Sequence, residues 1–134
     1  MANSLFDKAR EGFLSGQILW NSDNIKAVLV DTGLYTPSLS TNQYLSDIAA
    51  GARVATSTNL AGKTIANGVA DAADVTFPAV TGASVEAIVL YKDTGTATTS
   101  RLICYIDSGV GGIPITPNGG DIATAWNASG IFKL

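Results

Sequence analysis

The sequence contains no histidine and a single cysteine, Cys104. Charged residues are scarce as well, at 14% of the chain against about 25% in an average domain. Each shortage removes a class of chemistry. Without histidine there is no His-based acid–base catalysis, no Ser-His-Asp or Cys-His nucleophile and no Cys/His zinc site. One cysteine cannot close an intramolecular disulfide. Eight Lys and Arg against eleven Asp and Glu leave a net charge of −3, which excludes a dense basic face for nucleic acid. Apolar runs such as 87–91 and 27–30 fall far short of the roughly 20 residues a spanning helix needs. The opening MANSLFDKAREGF carries acids and no apolar core, so it does not read as a secretory signal, and synthesis inside the cell is expected. No catalytic residue, metal or cofactor is nominated, and the chain reads as non-enzymatic.

Neutral residues take the place of charge. Thr and Ser total 25, Ala 19 and Gly 14. Thr suits a half-exposed strand, and Gly, Asn and Asp suit tight turns. With 134 residues and 46% hydrophobic content, one domain with one core is the natural reading. The predicted class is mainly β, a β-sandwich or jelly-roll-like domain with a short N-terminal helix. Residues 1–16 form a helical arm in this reading and residues 17–134 a single β domain.

Leu5, Phe6, Ala9 and Phe13 recur at helical spacing and predict a helix over 4–14, with Ser4 and Asp7 as a capping box and Gly16 as its stop. Such a helix packs either on its own domain or on a neighbouring subunit. Strands are expected at 17–20, 25–30, 53–58, 64–66, 69–70, 75–77, 84–92, 101–107, 122–126 and 131–134. The 84–92 strand is the longest and is expected at the centre, with 101–107 as its partner. Residues 43–48 read as a helical turn. Asn67-Gly68 is the strongest hairpin signal, and Pro114 demotes 113–116 to an edge or loop.

Several segments invite a chemical reading. Asp31-Thr32-Gly33, Asp93-Thr94-Gly95 and Asp107-Ser108-Gly109 each follow an apolar strand, as the catalytic triplet of aspartic proteases does. Three copies, followed by Leu34, Thr96 and Val110, fit turn chemistry better than one unique site. Gly62-Lys63-Thr64 resembles the end of a phosphate-binding loop, but Ser57 stands where that motif needs glycine. Asp71 and Asp74 offer two carboxylates to calcium without an EF-hand loop around them, and read as solvated loop. Glu86 is expected to face solvent from its strand, or to meet a cation across an interface. Cys104 shares a face with Leu102 and Ile106 and reads as a small buried hydrophobe. Trp20 and Trp126 read as core anchors, with glycan stacking on Trp20, Tyr35 or Tyr44 as the alternative. The sequon Asn127-Ala128-Ser129 reads as chance.

Taken together, the segments form a recognisable series. A helix ending near Phe13 leads to Trp20 and then IKAVLVDTGLY (25–35). YLSDIAAGARVAT (44–56), GVADAADVTFPAVTG (68–82) and AIVLYKDTG (87–95) follow, and TSRLICYID, PITPNGGD and IFKL close the chain. This order resembles a group of small structural proteins of tailed bacteriophages, over nearly the full length. The resemblance implies a virion component made in the host cytoplasm. The favoured role is a capsid decoration (cement) protein that stabilises the head by binding the major capsid protein, as a homo-oligomer with a trimer favoured. A tail or baseplate protein and a host glycan-binding module are the alternatives. Neither nucleic acid nor membrane is an expected partner. The expected subunit contacts are Leu5, Phe6 and Phe13 on the helix, and Ile131 and Phe132 on a terminal strand able to join a neighbour's sheet.

Overall fold

The computed structural model describes residues 4–134. The described chain is mainly β, with several antiparallel sheets and one helix near the N-terminus, in a sandwich-like arrangement. In chain order the elements are β1 (Ser4–Leu5), α1 (Asp7–Leu14), β2 (Ile25–Val30), β3 (Arg53–Thr56), β4 (Thr64–Ala66) and β5 (Val69–Asp71). Then come β6 (Val75–Phe77), β7 (Ala87–Lys92), β8 (Leu102–Ile106), β9 (Ile122–Thr124) and β10 (Phe132–Lys133). They form a five-stranded sheet in the order β1-β8-β7-β2-β3, a three-stranded sheet β10-β5-β4 and a pair β6-β9.

The five-stranded sheet is apolar on both faces. Every residue of β8 is buried, as is every residue of β7 except Lys92 at its end. Side chains alternate between faces along a strand, so the register sorts them. Val28, Val89 and Tyr105 lie in one row across the sheet, and Leu29, Ile88 and Ile106 in the next. Antiparallel sheets commonly leave one face to water; here neither face is suited to it. The segment between β2 and β3 serves the first face, where it brings the buried Tyr35 close to Tyr105. The other face is covered from the β10 side, with Ile131 and Phe132 across a small cavity from Cys104 and Ile106.

The helix begins later than its periodicity suggests. Ser4 and Leu5 pair with Tyr105 and Cys104 as a strand, so no Ser4 capping box forms. Phe6 is extended at the N-cap and makes no side-chain cap. The main chain of this segment is tied to distant partners, Phe6 N to Ile103 O and Asp7 N to Leu39 O, which sequence spacing does not reveal. Phe6 and Ala9 are fully buried in the chain's own core. Gly12 permits this packing, because a β-carbon there would lie 2.8 Å from Ile18 Cδ1 and 3.0 Å from Arg101 Nε.

Residues 17–20 are irregular chain, not a strand. Gln17 N and Ile18 N both donate to Gly12 O, so the chain closes the helix end instead of pairing with a sheet. Other expectations match the structure. β7 is central with β8 beside it, and 45–47 is a 3-10 turn. Asn67 and Gly68, both at positive φ, join β4 to β5 as a tight hairpin. Ile115 pairs with Val85 only as an isolated bridge.

The two-sided core makes central side chains costly to shorten. Ile88→Ala should lose about 2–5 kcal/mol of stability, and Ile65→Ala, at an exposed position, less than about 0.5 kcal/mol. Urea unfolding of both variants checks the contrast; similar midpoints would contradict it.

Candidate functional site

The acidic groups that invite catalytic readings serve mainly as acceptors for the main chain. Asp31 Oδ1 accepts Gly33 N–H at 2.9 Å and Asp93 Oδ1 accepts Gly95 N–H at 3.1 Å. Both triplets are therefore side-chain-closed turns. They also sit at opposite ends of the sheet, since Val30 pairs with Ala87 while Ile25 pairs with Lys92. No converging pair arises from Asp31 and Asp93. Asp23, Asp47, Asp71, Asp74, Glu86 and Asp121 accept main-chain N–H groups as well. At least eight of the eleven acids thus do the same job.

Glu86 points outward between the buried Val85 and Ala87, as its alternation predicts, and its half-exposed carboxylate accepts Thr32 N–H at 3.0 Å and the Thr32 hydroxyl at 2.9 Å. A hydrogen bond from Ser84 and these two from Thr32 hold its carboxyl below the ordinary value against partial desolvation. Burial pushes the Asp93 carboxyl up, but the Gly95 N–H and the Lys26 ammonium at 3.1 Å outweigh it and leave the group below its ordinary value.

The loop holding Asp71 and Asp74 is a clamp. The Trp20 indole donates to Asp71 O at 3.2 Å and the Trp126 indole to Ala73 O at 3.0 Å, while Asp74 Oδ1 accepts Trp126 N–H at 3.0 Å. Both tryptophans are buried, as core anchors should be, and Tyr35 is buried too. Tyr44 is half-buried, with the Arg101 guanidinium 6.0 Å from its ring centre. Trp20, Tyr35 and Tyr44 therefore present no open stacking platform. The Lys63 ammonium is bonded to Asp23 O, and Thr64 opens a strand where a phosphate-binding loop would open a helix. Cys104 is buried, and desolvation pushes its thiol far above the ordinary range, which suppresses the thiolate. Among the described residues no group of three or more Cys, Asp or Glu is placed to hold a metal ion.

The expected contact residues divide. Leu5, Phe6 and Ile131 are buried inside this chain. Phe13 and Phe132 are half-buried, with ring centres 5.8 Å apart, and Trp20 meets Phe132 edge-on at 5.3 Å. Around this aromatic cluster lie large apolar residues that none of the described residues covers. Leu14 is 89% exposed, Leu134 62%, Ile65 57% and Leu19 52%. One hollow joins Leu19, Ile65 and Leu134 beside Phe13, and a second joins Leu14 and Leu134 beside the same ring. Sequence reasoning placed the surface near the two termini but missed Leu14, Leu19, Ile65 and Leu134. The one available signal was Leu14, an apolar residue at the helix end outside the predicted face.

No family model matches this chain, and comparison with curated proteins finds no significant relative.

Two outcomes follow from the carboxylates. Glu86 and Asp93 bind protons less readily when folded than when unfolded. Their contribution to stability is therefore complete above about pH 4.5 and is lost as pH falls through their folded values. With no histidine to titrate, the melting temperature should be level between about pH 6 and 8 and fall below about pH 4. A marked drop between pH 8 and 6 would contradict this. Glu86→Ala should cost about 1–2 kcal/mol by stranding the Thr32 N–H, and Glu86→Gln less, because it keeps one acceptor. Equal losses in denaturant unfolding would show that the acceptor is not what matters.

Proposed function

We propose that this chain is a non-enzymatic structural component of a tailed-phage particle, acting as a capsid decoration protein on the major capsid protein. The observation that carries the reading is the one-sided apolar surface. Among the described residues, four of the six large exposed apolar side chains, Leu14, Leu19, Ile65 and Leu134, border two hollows that share Phe13 and Leu134. Contiguous apolar surface on a small domain marks a place where another protein sits.

The sequence resemblance supports the virion part of the proposal, and the use of acids supports the cement part. A cement protein must hold through changes of salt and pH. Contacts made by apolar surface and main chain do so, whereas exposed ion pairs are weak and screened. Here charged residues are only 14% of the chain, and most acids are fixed as acceptors within it.

Copy number in purified particles of the encoding phage tests the proposal. Quantitative mass spectrometry should find this protein at the same order of abundance as the major capsid protein, in heads separated from tails. Enrichment in the tail fraction at a few copies would move it to the tail or baseplate. Absence from particles would end the structural reading.

A further inference from the structure

Residues 130–134 are held differently from other short pieces of the cover. The loop holding Asp71 and Asp74 is gripped by two indoles and a carboxylate, and β9 is tied to β6 by the Thr124 hydroxyl. Residues 130–134 have no such tie among the described residues. β10 pairs with β5 alone, and the bonds that flank it, Ile131 N to Ala70 O at 2.8 Å and Leu134 N to Gly68 O at 3.0 Å, run from main chain to main chain. Lys133 is the one polar side chain of the segment, and it makes no ion pair among the described residues. The packing is open as well. Hollows of about 190, 250, 430 and 450 Å³ all border the segment, and each takes away neighbours that would otherwise hold it.

We propose that residues 130–134 form a detachable strap, which opens as a unit while the five-stranded sheet stays folded and so controls access to Cys104 and to the edge of β5. Openings of this kind run through segments with few buried contacts and cost less than global unfolding. The strap covers ground that matters. Ile131 is buried, Phe132 meets the rings of Phe13 and Trp20, and both residues border the hollow that reaches Cys104 and Ile106. The turn before the strap supplies the hinge. It closes on itself, Gly130 N to Asn127 O and Ser129 N to Asn127 Oδ1, both at 2.9 Å, so its bonds survive when the residues beyond it leave. Gly130 sits there at φ 109°, and a β-carbon on it would run into the Val69 side chain. Departure of the strap gives up the pairing of β10 and the burial of Ile131, whereas β2, β7 and β8 keep their pairing with one another. The strap does not rest on the function proposed above.

Alkylation of the native full chain with iodoacetamide tests the proposal, because Cys104 is the only cysteine and is 2% exposed. Labelling should run at least about tenfold faster than global unfolding permits, with a weak urea dependence, because a local opening exposes little surface. Ile131→Ala should speed it by about tenfold or more, since the closed strap loses its buried anchor. Val89 lies on the opposite face of the sheet from Cys104, because Leu90 is the residue paired with Cys104 and side chains alternate along a strand. Val89→Ala should therefore lower the urea midpoint of global unfolding and leave the labelling rate unchanged. Circular dichroism checks that both variants fold. In the unmodified chain, the amides of Ile131 and Leu134 should exchange hydrogen together and ahead of those of β7. Labelling that tracks global unfolding in rate and urea dependence overturns the proposal. So does fast labelling that Ile131→Ala leaves unchanged, because the reagent would then enter past a closed strap. Strap amides that exchange as slowly as those of β7 overturn it too.

Discussion

The structure depends on a sheet that has no face suited to water. β2, β7 and β8 place apolar side chains on both sides of the five-stranded sheet. Burying such strands is the main favourable term available to a small domain, and it requires two covers. This chain builds one cover from the long segment after β2 and the other from the β10 side. The N-terminal segment joins the same core through Leu5, Phe6 and Ala9.

The covers are made of very short pieces. β4, β5, β6 and β9 have three residues each and β10 has two, too few to stand alone. Side chains bonded to main chain hold most of them in place. The two indoles and the Asp74 carboxylate grip the loop between β5 and β6. Ser57 Oγ accepts Ala27 N–H, and the Thr124 hydroxyl donates to Val75 O. The acids that are present act as fixed acceptors for turns, a task for which a paired cation is unnecessary.

Much of the β framework was legible because it is local. Apolar runs with β-branched residues marked β2, β7 and β8, and Asn67-Gly68 marked a hairpin through its demand for positive φ. Two failures have different causes. Ser4 and Leu5 became a strand because β8, far away in sequence, offered an edge. Residues 17–20 stayed out of the sheets because the nearby Gly12 O accepts Gln17 N–H and Ile18 N–H. Neither partner is registered by the periodicity of apolar residues.

The same division applies to the candidate surface. Composition alone determined that the chain is poor in charge, β-rich and without histidine chemistry, because residue types limit chemistry wherever they fall. It also drew attention to Phe13 and Phe132 near the two ends. Only the tertiary structure decided that Leu5, Phe6 and Ile131 turn inward while Leu14, Leu19, Ile65 and Leu134 remain outside. The physical reason is that burial is a property of the assembled layers. An apolar side chain is core or contact surface according to whether another element of the fold reaches it.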